Sequence, residues 1–287
     1  MKKNISFILA VFLLFGAATL WTGCAAEPKL EPVVTLGVPE NEKLAETIQI
    51  DDFIFNIYSS YAELIGYEGG DTDIIIPDEA AGKVVLKIGE KAFWGNKTLK
   101  SIKLPENLRY IDRYAFQKCT ELNTVEFNQR LETIDDYAFA QTALAELNFP
   151  VSLASIGKYS FSECVGFKSL TIPSRVNSIG KYAFYGCTTL ESIAFNERLD
   201  KLSDRMFYNC SSLKTVEIPK NITEIGGYVF AGCSSLETIF IPAEVTKVGE
   251  GQFHGSPGVT VLTSAGSAAA KFCEKNGVKW REPDAKQ

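Results

Sequence analysis

Histidine is almost missing from this 287-residue chain: His254 is the only one. A single imidazole leaves little material for a metal centre or for acid–base chemistry near neutral pH. Basic residues are also in deficit, with 29 Lys and Arg against 35 Asp and Glu and a net charge of −6. No basic patch is available to neutralise phosphates, so nucleic acid is excluded as a partner. The seven cysteines contain no Cys-x-x-Cys pair, the spacing on which zinc and redox sites are usually built.

What the chain does have is repetition. Residues 213–235, Leu-Lys-Thr-Val-Glu-Ile-Pro-Lys-Asn-Ile-Thr-Glu-Ile-Gly-Gly-Tyr-Val-Phe-Ala-Gly-Cys-Ser-Ser, are one copy of a unit that recurs from residue 71 to residue 258. A fixed period of this size marks a stacked-repeat solenoid. With Leu213 as position one, the copies begin at Asp71, Leu99, Leu122, Leu144, Phe167, Leu190, Leu213 and Leu236. Most are 23 residues long; the copy at Leu122 is one residue shorter, and the first carries about five extra residues around Glu79–Lys83. Position eighteen is Phe throughout: Phe93, Phe116, Phe139, Phe161, Phe184, Phe207, Phe230 and Phe253. Positions four, six, ten and thirteen are apolar in nearly every copy, for example Ile193, Phe195, Leu199 and Leu202.

Positions four and six alternate with polar neighbours, the period of a strand with one buried face. Pro at position seven, as in Pro173 and Pro219, cannot donate to a ladder and ends that strand. Asn128 and Asn196 replace it in two copies and also suit a turn. Gly at position fourteen, as in Gly157 and Gly226, supplies the next bend. The Gly-x-Tyr-Ala-Phe segment is too short for a stable helix, and one helical turn is expected there. The expected fold is an α/β repeat solenoid, β-rich, with eight coils. Stacking at about 4.8 Å per coil gives a length of about 38 Å. One coil cannot cover its own apolar edge, so neighbours must. The Phe column is the expected spine of the core.

The pattern Leu-x-x-Ile-x-Ile-Pro-x-x-Val-x-x-Ile-Gly-x-Tyr-Ala-Phe-x-Gly-Cys resembles the leucine-rich repeat of the BspA-like, Treponema-type class, over about two-thirds of the chain. The resemblance implies a curved horseshoe with its strand ladder on the concave side. It also implies a secreted or surface-attached bacterial protein, one of a family in which several members are adhesins for host matrix proteins or other cells.

The ends differ from the repeat. Residues 1–24 read as a secretory signal: Lys2 and Lys3, an apolar run from Ile5 to Leu20, then Trp21-Thr22-Gly23-Cys24. The Gly-Cys pair resembles a bacterial lipobox with Cys24 as the lipidated residue, although Leu20 stands one place further from Cys24 than is usual. An uncleaved anchor helix and ordinary cleavage near Ala25–Ala26 are the other readings; a lipid anchor in the membrane is the preferred one. Residues 25–47, with Pro28, Pro32 and Pro39, read as a flexible tether reaching about 25–30 Å. Residues 48–70 read as a hairpin capping the first coil, since an open solenoid end exposes ladder and core. In residues 259–280, Ser267 and Gly277 bracket a short helix, followed by an extended piece at Val278–Trp280. Residues 281–287 read as a frayed tail.

Candidate chemistry is thin. Cys119, Cys164, Cys187, Cys210 and Cys233 share position twenty-one, where Asn96, Thr142 and Ser256 also occur, as suits buried thiols at a packing site. His254 falls in a variable column and reads as a surface residue. Asp51–Asp52 and Asp135–Asp136 are adjacent in sequence, whereas a glycosidase needs carboxyls facing across a groove; they read as turn residues. The tyrosines of position sixteen (Tyr114, Tyr137, Tyr159, Tyr182, Tyr228) read as core-edge residues with their hydroxyls in water. The ligand face is placed on the outward positions of the first strand: Ser101, Thr124, Glu146, Ser169, Ser192, Thr215 and Thr238 at position three. At position five these are Lys103, Glu126, Asn148, Thr171, Ala194, Glu217 and Phe240.

Together these features point to a non-catalytic, extracytoplasmic lipoprotein, in the outer membrane or at the cell surface, that binds a protein or glycan and needs no cofactor. A scaffolding envelope protein is the second reading and a secreted hydrolase the weakest. Labelled palmitate should mark the protein in its host, and Cys24→Ala should abolish the label; a variant that still incorporates palmitate would remove Cys24 as the anchor.

Overall fold

The computed structural model describes residues 42–284. Cys24, the rest of the expected leader, the expected tether up to residue 41 and residues 285–287 lie outside them.

The described chain starts with three strands, Glu46–Ile50, Phe53–Ile57 and Ala62–Tyr67, paired antiparallel in sequence order. The stretch from Ile48 to Tyr58 is thus two strands, split where Ile50 pairs with Phe53 across Asp51–Asp52. Asp51 takes the left-handed φ of 51° that this tight connection uses and that Asp tolerates. Ala62–Tyr67 then pairs parallel with Lys83–Ile88, which carries the pairing into the repeats. Phe55, Ile57, Ala62 and Leu64 close over the first coil and are buried. The extra residues of that coil form a hairpin, Glu79–Ala80 against the start of Lys83–Ile88. Its turn residues Ala81 and Gly82 have φ of 48° and 70°, the pair of positive angles a type I′ turn requires.

The repeats form a β-solenoid, each regular coil contributing to parallel ladders in strict repeat register. Position four pairs with position four in the first ladder, as Ile102 with Val125 and Val216 with Ile239. Position thirteen pairs with position thirteen in the second, as Ile134 with Ile156 and Ile225 with Val248. At the corner between them, Asn196 shows why Asn can replace Pro. Its Nδ2 donates to the Val176 carbonyl of the preceding coil at 2.7 Å, while its Oδ1 accepts from the Leu199 N–H at 2.9 Å.

The third side is not helical. Positions sixteen and twenty are both left-handed in coil after coil: Tyr114 and Lys118 have φ of 59° and 64°, Tyr137 and Gln141 59° and 62°, Arg205 and Asn209 56° and 61°. These angles turn the segment into linked reverse turns whose N–H groups alternate in direction. Ala115 donates within its own coil to Asp112, whereas Tyr114, Phe116 and Lys118 donate to Asp136, Ala138 and Ala140 of the next. A helix would spend those donors on its own carbonyls four residues back. Linked turns leave every second one for the neighbouring coil, so main-chain bonds join the coils on this side too. The cost is about 1–2 kcal/mol for each left-handed residue other than Gly.

Glycine at position fourteen also has a different role from the one expected. A Cβ on Gly157 would come within 2.4 Å of the Asp135 carbonyl carbon, and one on Gly180 within 2.5 Å of the Lys158 nitrogen. Neither has a left-handed φ; close approach of successive main chains, not the bend, is what excludes a side chain there.

The core is a stack of rings. Phe93, Phe116, Phe139, Phe161, Phe184, Phe207 and Phe230 follow one another at centroid distances of 4.9–6.0 Å, with planes within 10° of parallel. Where position six is Phe, its ring meets the column edge-on, as Phe127 does on Phe139 at 5.9 Å and 72°. Phe253 leaves the row. It is half-buried and turns edge-on to Phe272 of the terminal helix at 6.2 Å, because that helix, and not another coil, covers this end. The helix Ala268–Asn276 has Ser267 as N-cap, accepting from the Ala270 N–H, and Gly277 at φ 68° as its C-terminal cap. Thr260–Leu262 extends the first ladder, and Trp280–Arg281 adds the last parallel strand.

Phe184 lies between two ring neighbours and is fully buried, whereas Tyr185 is half-exposed. Phe184→Ala should cost about 3–5 kcal/mol and depress the thermal midpoint far more than Tyr185→Ala. Equal midpoints for the two variants would take Phe184 out of the core.

Candidate functional site

Alternation along the first ladder turns position four inward and positions three and five outward. Lys103, Glu126, Asn148, Thr171 and Glu217 are exposed and Phe240 is half-buried. Lys103 pairs in register with Glu126, and Glu217 with Phe240. At position five of the first coil stands Ile75, 71% exposed. Asp73, at position three of the same coil, accepts from the Ser101 and Thr72 hydroxyls, which hold its carboxyl below the usual range.

The ladder is not continuous. No strand forms at Glu146–Asn148, so Thr124–Glu126 and Ser169–Thr171 are not bridged. The interruption follows directly on the one-residue shortening of the corner Thr142-Ala143-Leu144. A cavity of about 690 Å³ opens there, lined in part by Glu146, Asn148, Phe149, Val151, Lys168 and Thr171. Val151 is 63% exposed there. A second cavity of about 310 Å³ lies further along, with Thr215, Glu217, Thr238, Phe240 and Leu262 in its wall. Four of the six residues singled out from sequence (Asn148, Thr171, Glu217 and Phe240) therefore line cavities, while Lys103 and Glu126 stand on the unbroken part of the ladder. Phe149, Val151 and Lys168 escaped the sequence reading; the short copy was their only signal.

The turn side carries a different surface. The position-sixteen tyrosines are half-buried and stacked face to face: Tyr114 on Tyr137 at 5.0 Å, Tyr137 on Tyr159 at 4.7 Å, Tyr159 on Tyr182 at 4.4 Å. Burial, and then the Tyr182 hydroxyl beside it, push the Tyr159 phenol up to about 12. Arg205 takes the next place in the column, its guanidinium 5.4 Å from the Tyr182 ring centre and 4.8 Å from that of Tyr228. Gly251 ends the column, since a Cβ there would lie 2.2 Å from the Tyr228 ring. Alongside runs a shorter pair, Tyr185 on Tyr208 at 5.6 Å. Tyr182, Tyr185, Arg205, Tyr208, Tyr228 and His254 together line an open cleft of about 550 Å³.

The position-twenty-one cysteines are buried and free. Each Sγ donates to the Phe carbonyl of the coil before it, as Cys187 to Phe161 at 3.1 Å and Cys210 to Phe184 at 3.3 Å. Ser256 makes the same bond to Phe230 at 3.1 Å, which is why Ser can share the column. Burial pushes the Cys119 and Cys233 thiols up to about 12 and Cys164 up to about 11. Such thiols are poor nucleophiles and poor metal ligands. Asp135 and Asp136 accept from the Asp136 and Lys158 main-chain N–H groups, which gives them turn roles. Among the described residues no cluster of three His, Cys, Asp or Glu is placed to hold a metal, and no helix is long and apolar enough to cross a membrane.

The profile of the BspA type leucine rich repeat region matches residues 86–165 and 154–267, in six copies. A leucine-rich repeat protein of Treponema pallidum is 30% identical, covering 67% of this chain and 91% of its own, with a TM-score of 0.62. A leucine-rich repeat protein of Bacteroides ovatus is 25% identical over 76% of this chain and 71% of its own, with a TM-score of 0.53. No curated protein sequence matches the chain. Stacked strands in repeat register, a phenyl spine and these matches lead to one assignment: the chain belongs to the BspA-type leucine-rich repeat family.

Proposed function

We propose that the protein is a non-catalytic binding and adhesion module, held outside the cytoplasm by a lipid on Cys24, that takes a protein or glycan on the outward face of its first ladder. The observation that supports this most is the clustering of polar and apolar side chains at the two cavities of that face. Polar groups at Asn148, Thr171 and Glu217 stand beside the apolar surface of Val151 and Phe240. Binding sites combine an apolar contact area with a few placed polar groups in this way. The column thiols are buried against main-chain carbonyls, which suits a packing role better than a nucleophilic one. An anchor at Cys24 followed by the tether expected at residues 25–47 fits this reading.

The purified protein should therefore capture a ligand from a panel of matrix proteins, glycans and host-cell extracts. Phe240→Ala should weaken that capture by about 1–2 kcal/mol, roughly 5–30-fold, with Lys103→Glu acting through charge on the same face. Undiminished binding by both variants would move the site elsewhere. Capture only from the producing cell's own envelope would replace adhesion by scaffolding.

A further inference from the structure

We propose that the cleft on the turn side, around Arg205, is a second binding site, and that it takes a sugar ring bearing a carboxylate. It is separate from the first-ladder face, and either assignment can fail without the other.

Arg205 is the single break in a run of stacked rings from Tyr114 to Tyr228; every other member is Tyr. Its guanidinium lies between two aromatic rings, 5.4 and 4.8 Å from their centres, which restricts its freedom before anything binds. Among the described residues no carboxylate is within ion-pair distance of it. The adjacent Asp204 is already engaged, by Lys181 Nζ at 2.7 Å and by the Gly227 N–H at 3.0 Å. After the Lys181 and Gly227 hydrogen bonds, the Arg205 charge also helps to hold the Asp204 carboxyl below the usual range. With no carboxylate in ion-pair contact among the described residues, the guanidinium suits a carboxylate ligand, which it can hold by two parallel hydrogen bonds.

The rest of the cleft selects a sugar over other anions. Four phenol hydroxyls and one imidazole line it, and no aliphatic side chain does; such a wall offers hydroxyl partners and ring faces but no seat for an acyl chain. Position nineteen runs Tyr185, Tyr208, Ala231, His254. Tyr208 has Tyr185 on one face, while Ala231 is buried and presents no ring to the other. Tyr208 and His254 are two coils apart, about 9.6 Å at the ladder spacing. A ring touching one of them sits about 3.5–4 Å away, so a pyranose enters that gap in contact with one of the two, with Arg205 also in the wall. The cleft volume of about 550 Å³ falls within the range of small-ligand sites, about 300–1,000 Å³. A net charge of −6 works against an extended polyanion but not against one carboxylate on one guanidinium.

Calorimetric titration of the purified protein with matched pairs tests this. The pairs are trigalacturonic acid with its methyl ester, and 3′-sialyllactose with lactose. At least one acid should bind about tenfold or more tightly than its neutral partner, and which one does so distinguishes a uronate from a sialic-acid type of ligand. Arg205→Tyr restores the residue of the other coils, so its thermal midpoint should be retained while the preference for the acid disappears. Tyr208→Ala should weaken binding, and Phe240→Ala should leave it unchanged. Binding of neither acid, equal binding of acid and neutral partner, or an undiminished preference in Arg205→Tyr would each overturn the proposal.

Discussion

Successive coils bond through their main chains at a spacing of about 4.8 Å, on three sides wherever both ladders run unbroken. That one constraint orders everything else in the solenoid. It puts the same repeat position above itself, so whatever side chain suits a column is reused down its length. It turns the Phe of position eighteen into a parallel stack and brings each thiol within reach of the carbonyl of the preceding coil. It brings main chains so close at position fourteen that a Cβ on Gly249 would lie 2.5 Å from Gly226. A residue is tolerated here when it can sit on a copy of itself. Large flat rings, small donors and glycine meet that condition in different columns.

The turn side shows how far the constraint reaches. Left-handed tyrosine is costly in isolation, and Gly would avoid the cost. Five coils nevertheless use Tyr at that angle: the rings of Tyr137 and Tyr159 are stacked on both sides, Tyr114 and Tyr182 on one, and Tyr182 and Tyr228 also meet Arg205. The exchange is local strain for contact between neighbours, and it leaves the hydroxyls at the surface. Arg205 keeps the geometry of the column while changing its chemistry.

The columns made much of this legible in the sequence. Positions four and thirteen, the phenyl spine and the Ser267 and Gly277 caps follow from period and residue type alone. The turn segment did not, because short apolar runs with Tyr and Ala read equally as a helical turn, and nothing in the residue types announces a left-handed φ at Tyr. Position-fourteen Gly was legible as special but for the wrong reason: close approach depends on the neighbouring coil, which a single copy does not contain. On the candidate ligand face, the outward positions could be read from alternation. The cavities beside Asn148 and Phe240 could not, since they arise where the ladder departs from its own pattern. Arg205 was visible as a substitution in the Tyr column, but its unpaired state was not, because the engagement of Asp204 by Lys181 is a contact between coils.

The gap in the first ladder at Glu146–Asn148 has a bearing on how the molecule comes apart. A stacked array is a one-dimensional chain whose stability is a sum of per-coil terms and nearest-neighbour couplings. Where one ladder is lost, that coupling rests on the remaining sides, and cooperativity drops at a defined point. Heat or pulling force would then open the array at such weakened couplings, which recur where Ser178–Ile179 and Lys201–Leu202, and Ser192–Ala194 and Thr215–Glu217, are left unpaired. One such seam is thus foreshadowed in the sequence, by one missing residue between Thr142 and Leu144.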